Sequence, residues 1–210
     1  MIILSKNLPH LCLATTNSDK IQEFQSILKR SAEIQDNIQI LSLNSFNRNL
    51  PPPEETGKTF FENANIKAQY YFREIKIPVL SEDSGLCVNS LDNQPGIFSK
   101  RWAKNGQNYE VARQRIKDAL LAKGKSVDRV SAFFHCSLVY FDGKILKEFS
   151  GKTSGVLDLS SKLDCGFGYD PIFIPLGFNK TFHNMSKEKK NKISHRYAAI
   201  SKFVEFMSAV

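Results

Sequence analysis

Two pairs of acidic residues are the first candidates for chemistry in this chain. Glu54 and Glu55 precede a Thr-Gly pair. Glu82 and Asp83 follow an apolar run that begins at Pro78 and is typical of a buried strand. Mg²⁺ takes oxygen ligands, usually one or two carboxylates together with substrate phosphates and water, so the two pairs are suited to hold it jointly. One of the carboxylates could also accept a proton from an attacking water molecule.

The same residues have a purely structural interpretation. Ser84 and Gly85 come next and predict a tight turn, in which Asp83 would be a turn former. Glu54 and Glu55 would then be solvated loop charges. Adjacent charges directly after an apolar run are harder to explain in this way, which makes the second pair the stronger candidate.

The segment from Ala14 to Lys20 is a further candidate, because it joins a predicted strand to a predicted helix. Such loops bind ligands in α/β proteins, and a helix start presents free N–H groups to an anion. The hydroxyl, amide and ammonium groups that could hold phosphates belong to Thr15, Thr16, Asn17, Ser18 and Lys20. Helix capping by Asn17 or Ser18 is the alternative, and the glycines of a Walker loop are missing.

Two segments near the C-terminus could bind a nucleotide. The Gly-flanked aromatic loop Gly166-Phe167-Gly168-Tyr169-Asp170-Pro171 could stack on a base, with Asp170 accepting hydrogen bonds from base or ribose donors. A turn containing a core aromatic residue is the alternative. Further on, the basic side chains of Lys190 and Arg196 could pair with phosphates and His195 could bond a purine edge, although a charge run is usually a solvated face.

The net charge of +8 and the sequence pI near 9.3 raise the alternative of a nucleic-acid-binding module. Residues 180–202 carry seven Lys or Arg and a single Glu, so most of the excess lies in one segment. A nucleic-acid binder would be expected to spread basic and aromatic residues along a groove. The two acidic pairs would also repel a phosphate backbone, and we expect neither nucleic acid nor a membrane as a partner.

The elements that must position these residues alternate along the chain. Strands are predicted at 11–14, 38–43, from 78, at 130–141 and at 145–149, with an Asp-Gly turn between the last two. Helices are predicted from about 21 to 28, 59 to 74 and 108 to 123. Residues from about 186 to 207 are predicted to form a basic turn that leads into a last helix. Strand–helix units around a hairpin predict an α/β protein with a mixed sheet.

Composition limits the class of protein. Hydrophobic residues at 41% and charged residues at 24% exclude wholesale disorder, and 210 residues predict a single domain. No run approaches the roughly 18 apolar residues of a membrane span, and no secretory signal is evident. The four cysteines form no CxxC pair. We therefore expect a cytoplasmic protein without structural disulfides.

Taken together, these segments resemble the inosine/xanthosine triphosphate pyrophosphatase family. The matching blocks run in the family's order from about residue 11 to 200: ATTNSDKIQEF, EETGKTFFENANIKA, EDSGLCVNSLDNQPGIFSKRWA, FGYDPIFIPLGFNKTF and KNKISHR. The combination is specific, although each block alone is not. The family removes deaminated purine nucleotides, which keeps them out of DNA and RNA.

The resemblance implies a fold, a reaction and a set of residues. The fold would be an elongated mixed sheet with flanking helices, forming two lobes around a nucleotide cleft. The reaction would be Mg²⁺-dependent hydrolysis of ITP, dITP and XTP to the monophosphate and pyrophosphate, by a homodimer. Glu54 or Glu55 with Asp83 would bind metal, and Asp83 would be the proton acceptor. Nucleotide would be bound by Thr15, Thr16, Asn17, Ser18, Asp19, Lys20, Ser84, Phe167, Gly168, Tyr169, Asp170, Lys190, His195 and Arg196.

Three positions depart from the family's pattern. Thr16 and Cys165 stand where Gly is usual, and Glu82 stands where many members have Asp. Thr16 still donates hydrogen bonds and Glu82 is still a carboxylate. A related pyrophosphatase that prefers modified pyrimidines or ordinary nucleotides is the alternative enzyme.

Overall fold

The computed structural model describes residues 9–28, 37–46, 49–160 and 166–209. Its strands are β1 (His10–Leu13), β2 (Gln39–Ser42), β3 (Val79–Val88), β4 (Gln94–Pro95), β5 (Val130–Phe141), β6 (Leu146–Leu157) and β7 (Phe173–Pro175). Its helices are α1 (Ser18–Leu28), α2 (Phe60–Ile75), α3 (Ser99–Trp102), α4 (Tyr109–Ala122), α5 (Lys187–Ile193) and α6 (His195–Ser208).

The strands form one mixed sheet. Within the described residues its order is β2-β1-β3-β5-β6-β7, with β4 paired to β3. β1 runs parallel to β2 and to β3, whereas β4 is antiparallel to β3 and β7 is antiparallel to β6. The predicted α/β class with a mixed sheet and flanking helices is confirmed.

The chain folds into two compact units. The first unit takes its described residues from 1–83, 136–151 and 196–210, and the second comprises 84–135 and 152–195 as far as described. The chain passes between the units within β3, β5 and β6 and again at 195–196.

The first unit has two apolar clusters that use alternate residues of its strands. Leu11 and Leu13 belong to one cluster together with Phe24 and Phe203, and Cys12 and Ala14 belong to the other. Successive side chains of a strand point to opposite faces of a sheet. The first unit therefore packs helices against both faces, which explains why three successive residues of β1, Leu11 to Leu13, are all apolar and buried.

The second unit is built around a single aromatic-rich cluster. Phe134, Phe173 and Phe182 contact one another there, with ring centroids 4.7–6.0 Å apart. Leu86 of β3 and Ile116 of α4 are fully buried in the same cluster. This core fixes the α4 helix and the segment after residue 166.

Two helix starts follow from capping residues in the sequence. Thr59 caps α2 by accepting a hydrogen bond from the Glu62 backbone N–H at 3.1 Å. Asn108 caps α4 by accepting from the Val111 N–H at 3.2 Å. Such caps satisfy donors that the first helical turn leaves unpaired, which is why both helices begin within a residue of the predicted position.

The prediction of a tight turn at Ser84-Gly85 is wrong. Both residues lie inside β3, which continues to Val88, so Glu82 and Asp83 lie in the middle of a strand rather than at its end. The reason is the apolar run after Gly85, because Leu86 and Val88 are fully buried and Cys87 pairs with Pro95 of β4. β6 likewise extends to Leu157, beyond the predicted end at 149.

Three of the cysteines, Cys12, Cys87 and Cys136, are buried free thiols. Cys165 lies outside the described residues. In the described parts of the chain, no helix is long and apolar enough to cross a membrane.

The turn between β5 and β6 provides a test of local packing. Gly143 has φ +95°, and a Cβ built there would lie 2.4 Å from Cζ of Phe72 in α2. Gly143→Ala should therefore lower the free energy of unfolding by more than the roughly 1–2 kcal/mol of a left-handed backbone alone, because the Phe72 ring must also move.

Gly124→Ala is the matched control in a urea unfolding series. Gly124 has φ +62°, and a Cβ there would meet nothing within 4 Å, so only the backbone cost applies. Equal destabilisation by the two substitutions would show that the close approach of Phe72 does not matter.

Candidate active site

In the first unit, two carboxylates converge on one lysine of α2. Lys67 Nζ lies 2.9 Å from Glu55 Oε1 and 3.5 Å from Asp83 Oδ1. Asn63, one helical turn earlier, donates from Nδ2 to the other Asp83 oxygen, Oδ2, at 3.2 Å. The oxygen of the Asn63 amide accepts from the Gly57 N–H at 2.8 Å, so α2 positions Asp83 and the loop that carries Glu55.

Burial and charge set the protonation of this group. Burial raises the pKa of Asp83, the charge of Lys67 opposes that rise, and the nearby carboxylate of Glu55 adds to it. Burial disfavours the ammonium of Lys67, yet Asp83 and Glu55 outweigh it and raise the pKa of the lysine. The ammonium of Lys67 therefore faces the carboxylate of Asp83, whose pKa is higher than usual. A raised pKa suits a general base.

The donor chemistry of this group fits a hard divalent cation. Glu55 and Asp83 both place a carboxylate oxygen within 3.5 Å of the Lys67 Nζ atom, whereas Glu54 is exposed. Among the described residues, no group of three or more His, Cys, Asp or Glu side chains could hold a metal. Mg²⁺ is usually bound by one or two protein carboxylates, and phosphate and water oxygens complete its coordination.

Glu82, the neighbour of Asp83, enters a different set of contacts. Its Oε1 lies 2.5 Å from Lys20 Nζ and its Oε2 lies 2.9 Å from Arg196 Nε. Arg196 also contacts Glu23 Oε2 through Nη1 at 2.8 Å. Burial opposes the charge of Arg196, but Glu82 and Glu23 raise its pKa. The predicted phosphate ligand Lys20 and the predicted nucleotide ligand Arg196 are thus both paired with Glu82.

The loop before α1 has the predicted capping interaction. Asn17 Oδ1 accepts a hydrogen bond from the Lys20 N–H at 3.0 Å, and Thr15 Oγ1 accepts from the Asn17 N–H at 3.2 Å. Thr16, Asn17 and Ser18 are exposed and Thr15 is half-buried. The side chain of Asp19 lies outside the described residues.

In the second unit, the Gly-flanked aromatic loop is held at three points. Arg113 Nη1 of α4 donates to the Gly168 carbonyl at 2.7 Å, and the Tyr169 hydroxyl donates to the Ser99 carbonyl at 2.9 Å. Asp170 Oδ2 lies 2.5 Å from Lys190 Nζ. Tyr169 is buried in the core, whereas Phe167 is 39% exposed. Phe167 is therefore the aromatic of this loop with a surface available for stacking.

Lys190, His195 and Ser84 complete the predicted site residues of the second unit. His195 is buried, and its ring stacks on Phe134 with centroids 4.9 Å and planes 11° apart. Lys190 precedes it on α5, and Ser84 is half-buried in β3. The roles of all these residues toward a substrate stay predictions.

Comparison with known proteins identifies the family of this chain. The sequence model described as the Ham1 family matches residues 11–206. The chain belongs to the Ham1 family. The chain is also 39% identical, over 93% of each sequence, to a dITP/XTP pyrophosphatase of Ruegeria pomeroyi. It is 38% identical to a dITP/XTP pyrophosphatase of Leptospira interrogans, over 94% of this chain and 96% of the relative. The resemblance stated from the motifs is confirmed.

Solved Ham1 structures share the fold. A HAM1 protein from Coxiella burnetii superposes with a TM-score of 0.84 at 32% identity, covering 97% of this chain and all of the other. The Ham1 protein of Staphylococcus aureus gives a TM-score of 0.79 at 31% identity, covering 95% and 98% of the two chains. The sheet of this chain is that of the Ham1 family.

Three side chains of this Ham1 chain that contact predicted site residues were not predicted from the sequence: Asn63, Lys67 and Glu23. Asn63 and Lys67 lie four residues apart on the predicted second helix, so that they share one face, and a polar pair at that spacing was a usable signal. Glu23 lies three residues after Lys20 on the first helix. Nothing in the sequence indicates that these side chains meet Asp83 or Arg196, because those contacts join distant parts of the chain.

The hydrogen bond from Arg113 to the Gly168 carbonyl should contribute to the free energy of unfolding. Arg113→Met should lower the free energy of unfolding by about 1–3 kcal/mol, because the Gly168 carbonyl loses its charged donor in a buried position. Lys117→Met on the same helix removes the same charge from a half-buried position and is the control. The predicted anchoring would be contradicted if the two variants had the same melting temperature.

Proposed function

We propose that this protein is a Mg²⁺-dependent nucleoside triphosphate pyrophosphatase acting on ITP, dITP and XTP. The observation that carries the proposal is the convergence of Glu55 and Asp83 on Lys67, in a Ham1 chain whose relatives are named dITP/XTP pyrophosphatases. The products would be the nucleoside monophosphate and pyrophosphate. Removal of such nucleotides would keep them out of DNA and RNA.

Glu55 and Asp83 would hold the metal ion in this proposal. When bound, Mg²⁺ would supply positive charge against the triphosphate and the leaving pyrophosphate. Asp83 would also accept the proton of the attacking water, a role that suits its raised pKa. The water oxygen would form a bond to the α-phosphorus, and the bond from that phosphorus to the α–β bridging oxygen would break. The proton would leave through Asp83.

The remaining predicted residues would bind the nucleotide. Lys20, with the exposed hydroxyl and amide groups of 15–18, would donate to phosphate oxygens. In the second unit, Phe167 would stack on the base and an N–H of His195 would donate to its 6-oxo group. An N–H group donates to a 6-oxo group but cannot pair with the 6-amino group of adenine, which is itself a donor. Adenine would therefore leave the N–H of His195 unpaired, and a mismatch of this kind discriminates strongly between substrates.

A panel of triphosphates tests the proposal. ITP, dITP, XTP, ATP, GTP and dTTP are each incubated with the protein, with and without Mg²⁺, and pyrophosphate and orthophosphate are measured. We expect pyrophosphate release that requires Mg²⁺, with kcat/KM for ITP at least about 100-fold above that for ATP. Equal rates with ATP or dTTP would overturn the substrate assignment, and release of orthophosphate alone would overturn the reaction.

We further propose that the protein works as a cytoplasmic homodimer. This rests on the family resemblance and on the nature of the substrates, which are intracellular nucleotides. Light scattering of the purified protein should give twice the chain mass of 23.8 kDa. A monomer mass at micromolar concentration would contradict the dimer.

A further inference from the structure

In the second unit, the first turn of α4 borders the Gly-flanked aromatic loop. Tyr109, the first residue of that helix, packs against two rings of the loop. The centroid of its ring lies 6.2 Å from that of Phe167, with the planes at 45°, and 5.4 Å from that of Tyr169, with the planes at 85°. Tilted and edge-to-face rings attract one another at such separations. Tyr109 therefore supports the ring that is proposed to stack on the base.

The backbone of the loop does little to fix the direction of the Phe167 ring. On either side of it, Gly166 has φ +102° and Gly168 has φ +60°, and glycine adopts many backbone conformations at little steric cost. The ring is 39% exposed, so the core does not enclose it. Lys190 Nζ lies 5.9 Å from the ring centre, but an ammonium on a flexible stem is a point charge that does not define a plane. The orientation of the ring therefore depends on Tyr109.

The helix that carries Tyr109 is anchored in the core of the second unit. Ile116 is fully buried in the aromatic-rich cluster. Arg113 lies four residues after Tyr109, on the same face of α4, and donates to the Gly168 carbonyl at 2.7 Å. Two side chains of one anchored helix thus contact three successive residues of the loop, 167–169. The position of the helix is in this way transmitted to the loop.

We propose that Tyr109 is a positioning residue that holds the ring of Phe167 in the plane on which the purine base of the substrate stacks. The inference rests on the proposed function, because it takes Phe167 to be the residue that stacks on the base. Tyr109 acts through Phe167 and lies outside the sequence blocks that carry the family resemblance. Its role is therefore separate from those that the resemblance implies.

Tyr109→Ala removes the supporting ring and leaves Phe167 in place. Binding of IMP, which carries the base, is compared by calorimetry in the presence of Mg²⁺ with binding of pyrophosphate, which does not. We expect the dissociation constant of IMP to rise about 3- to 10-fold, the range that corresponds to one aromatic pair. That of pyrophosphate should change less than about 2-fold. Unchanged affinity for IMP, or an equal loss of affinity for both ligands, would overturn the proposal.

Tyr109→Phe tests whether the ring itself carries the effect. This variant keeps the ring and loses the hydroxyl group, so its affinity for IMP should lie within about 2-fold of that of the wild type. An affinity as low as that of Tyr109→Ala would contradict a role that depends on ring packing.

Steady-state kinetics provide an independent measurement. Tyr109→Ala should raise the KM for ITP while kcat changes little, since Asp83, the proposed general base, is untouched. A fall in kcat at unchanged KM would count against the inference.

Two further variants control for folding and for the helix. Leu121→Ala removes an apolar side chain that is 55% exposed on the same helix and should leave both dissociation constants unchanged. Tyr109→Leu keeps an apolar side chain against the core and serves where Tyr109→Ala is too unstable to purify. It has no ring to set beside Phe167 and should weaken IMP binding in the same direction. Wild-type affinity in Tyr109→Leu, or a loss of the same size in Leu121→Ala, would overturn the proposal. Melting temperatures are recorded for every variant.

A double-mutant cycle with Phe167→Ala shows whether Tyr109 acts through Phe167. If it does, Tyr109→Ala should change the affinity for IMP less than about 2-fold in the Phe167→Ala background. Losses that multiply in the double variant would mean that the two rings act independently, which contradicts the inference.

The same cycle separates this inference from the proposed function. If the wild type releases no pyrophosphate from any triphosphate, or if Phe167→Ala binds IMP as the wild type does, the proposed function or its base-stacking residue is wrong. If the wild type is active and Phe167→Ala binds IMP weakly while Tyr109→Ala binds it normally, only the positioning role of Tyr109 fails.

Discussion

Asp83→Asn is expected to lower kcat for pyrophosphate release from ITP by about 10²- to 10⁴-fold, the usual contribution of a general base. The amide keeps the shape of the side chain and one oxygen toward a metal ion, but it cannot accept a proton from water. Because Lys20 and the other proposed phosphate ligands are unchanged, the KM for ITP should rise far less than kcat falls. Rates of pyrophosphate release over a range of ITP concentrations measure both.

The surroundings of Asp83 make a stability control necessary. Asn63 Nδ2 and Lys67 Nζ donate to different oxygens of the carboxylate, so either orientation of the new amide places its NH₂ against a donor. Asp118→Asn makes the same change on the exposed side of α4 and should leave turnover unchanged. Turnover of Asp83→Asn within threefold of wild type, in a protein with normal melting temperature, would remove Asp83 from the role of base.

The secondary structure was largely predictable because its signals are local. The Thr59 and Asn108 caps and the periodicity of apolar residues placed α2 and α4 within a residue of their observed ends. β5 was predicted with its observed bounds, 130–141. β3 was not, since Ser84-Gly85 has the composition of a turn while the pairing that keeps it extended involves β4, further along the chain.

The acidic candidates could be found from the sequence, whereas their partners could not. Asp83 stands out as a carboxylate after an apolar run and Glu55 as a member of a second acidic pair. The lysine that contacts both comes from α2 and is recognised only by its spacing from Asn63. Arg196 looked like part of a basic surface segment and is instead buried against two carboxylates. Which charges neutralise each other is decided by tertiary packing, about which residue type and spacing say little.

Lys67→Met should shift the acidic limb of the pH profile of kcat/KM for ITP to higher pH. In wild type, burial raises the pKa of Asp83 and the charge of Lys67 opposes that rise. Removing the ammonium removes the opposing effect, so the pKa of Asp83 rises further. A general base works in its ionised form, which exists above the pKa, and activity is therefore lost from the low-pH side first.

The size of the loss should depend on pH. At pH 7 we expect kcat/KM to fall about 10- to 100-fold, with a smaller loss at higher pH, where a larger fraction of Asp83 is ionised. Lys67→Arg is the control, since it keeps a positive charge that does not titrate in this range. Lys67→Arg should keep the acidic limb of the pH profile near its wild-type position, even if the different shape of the arginine lowers the maximal kcat/KM. A Lys67→Met profile that falls equally at every pH would mean that Lys67 acts only by its shape, and the electrostatic coupling to Asp83 would have to be abandoned.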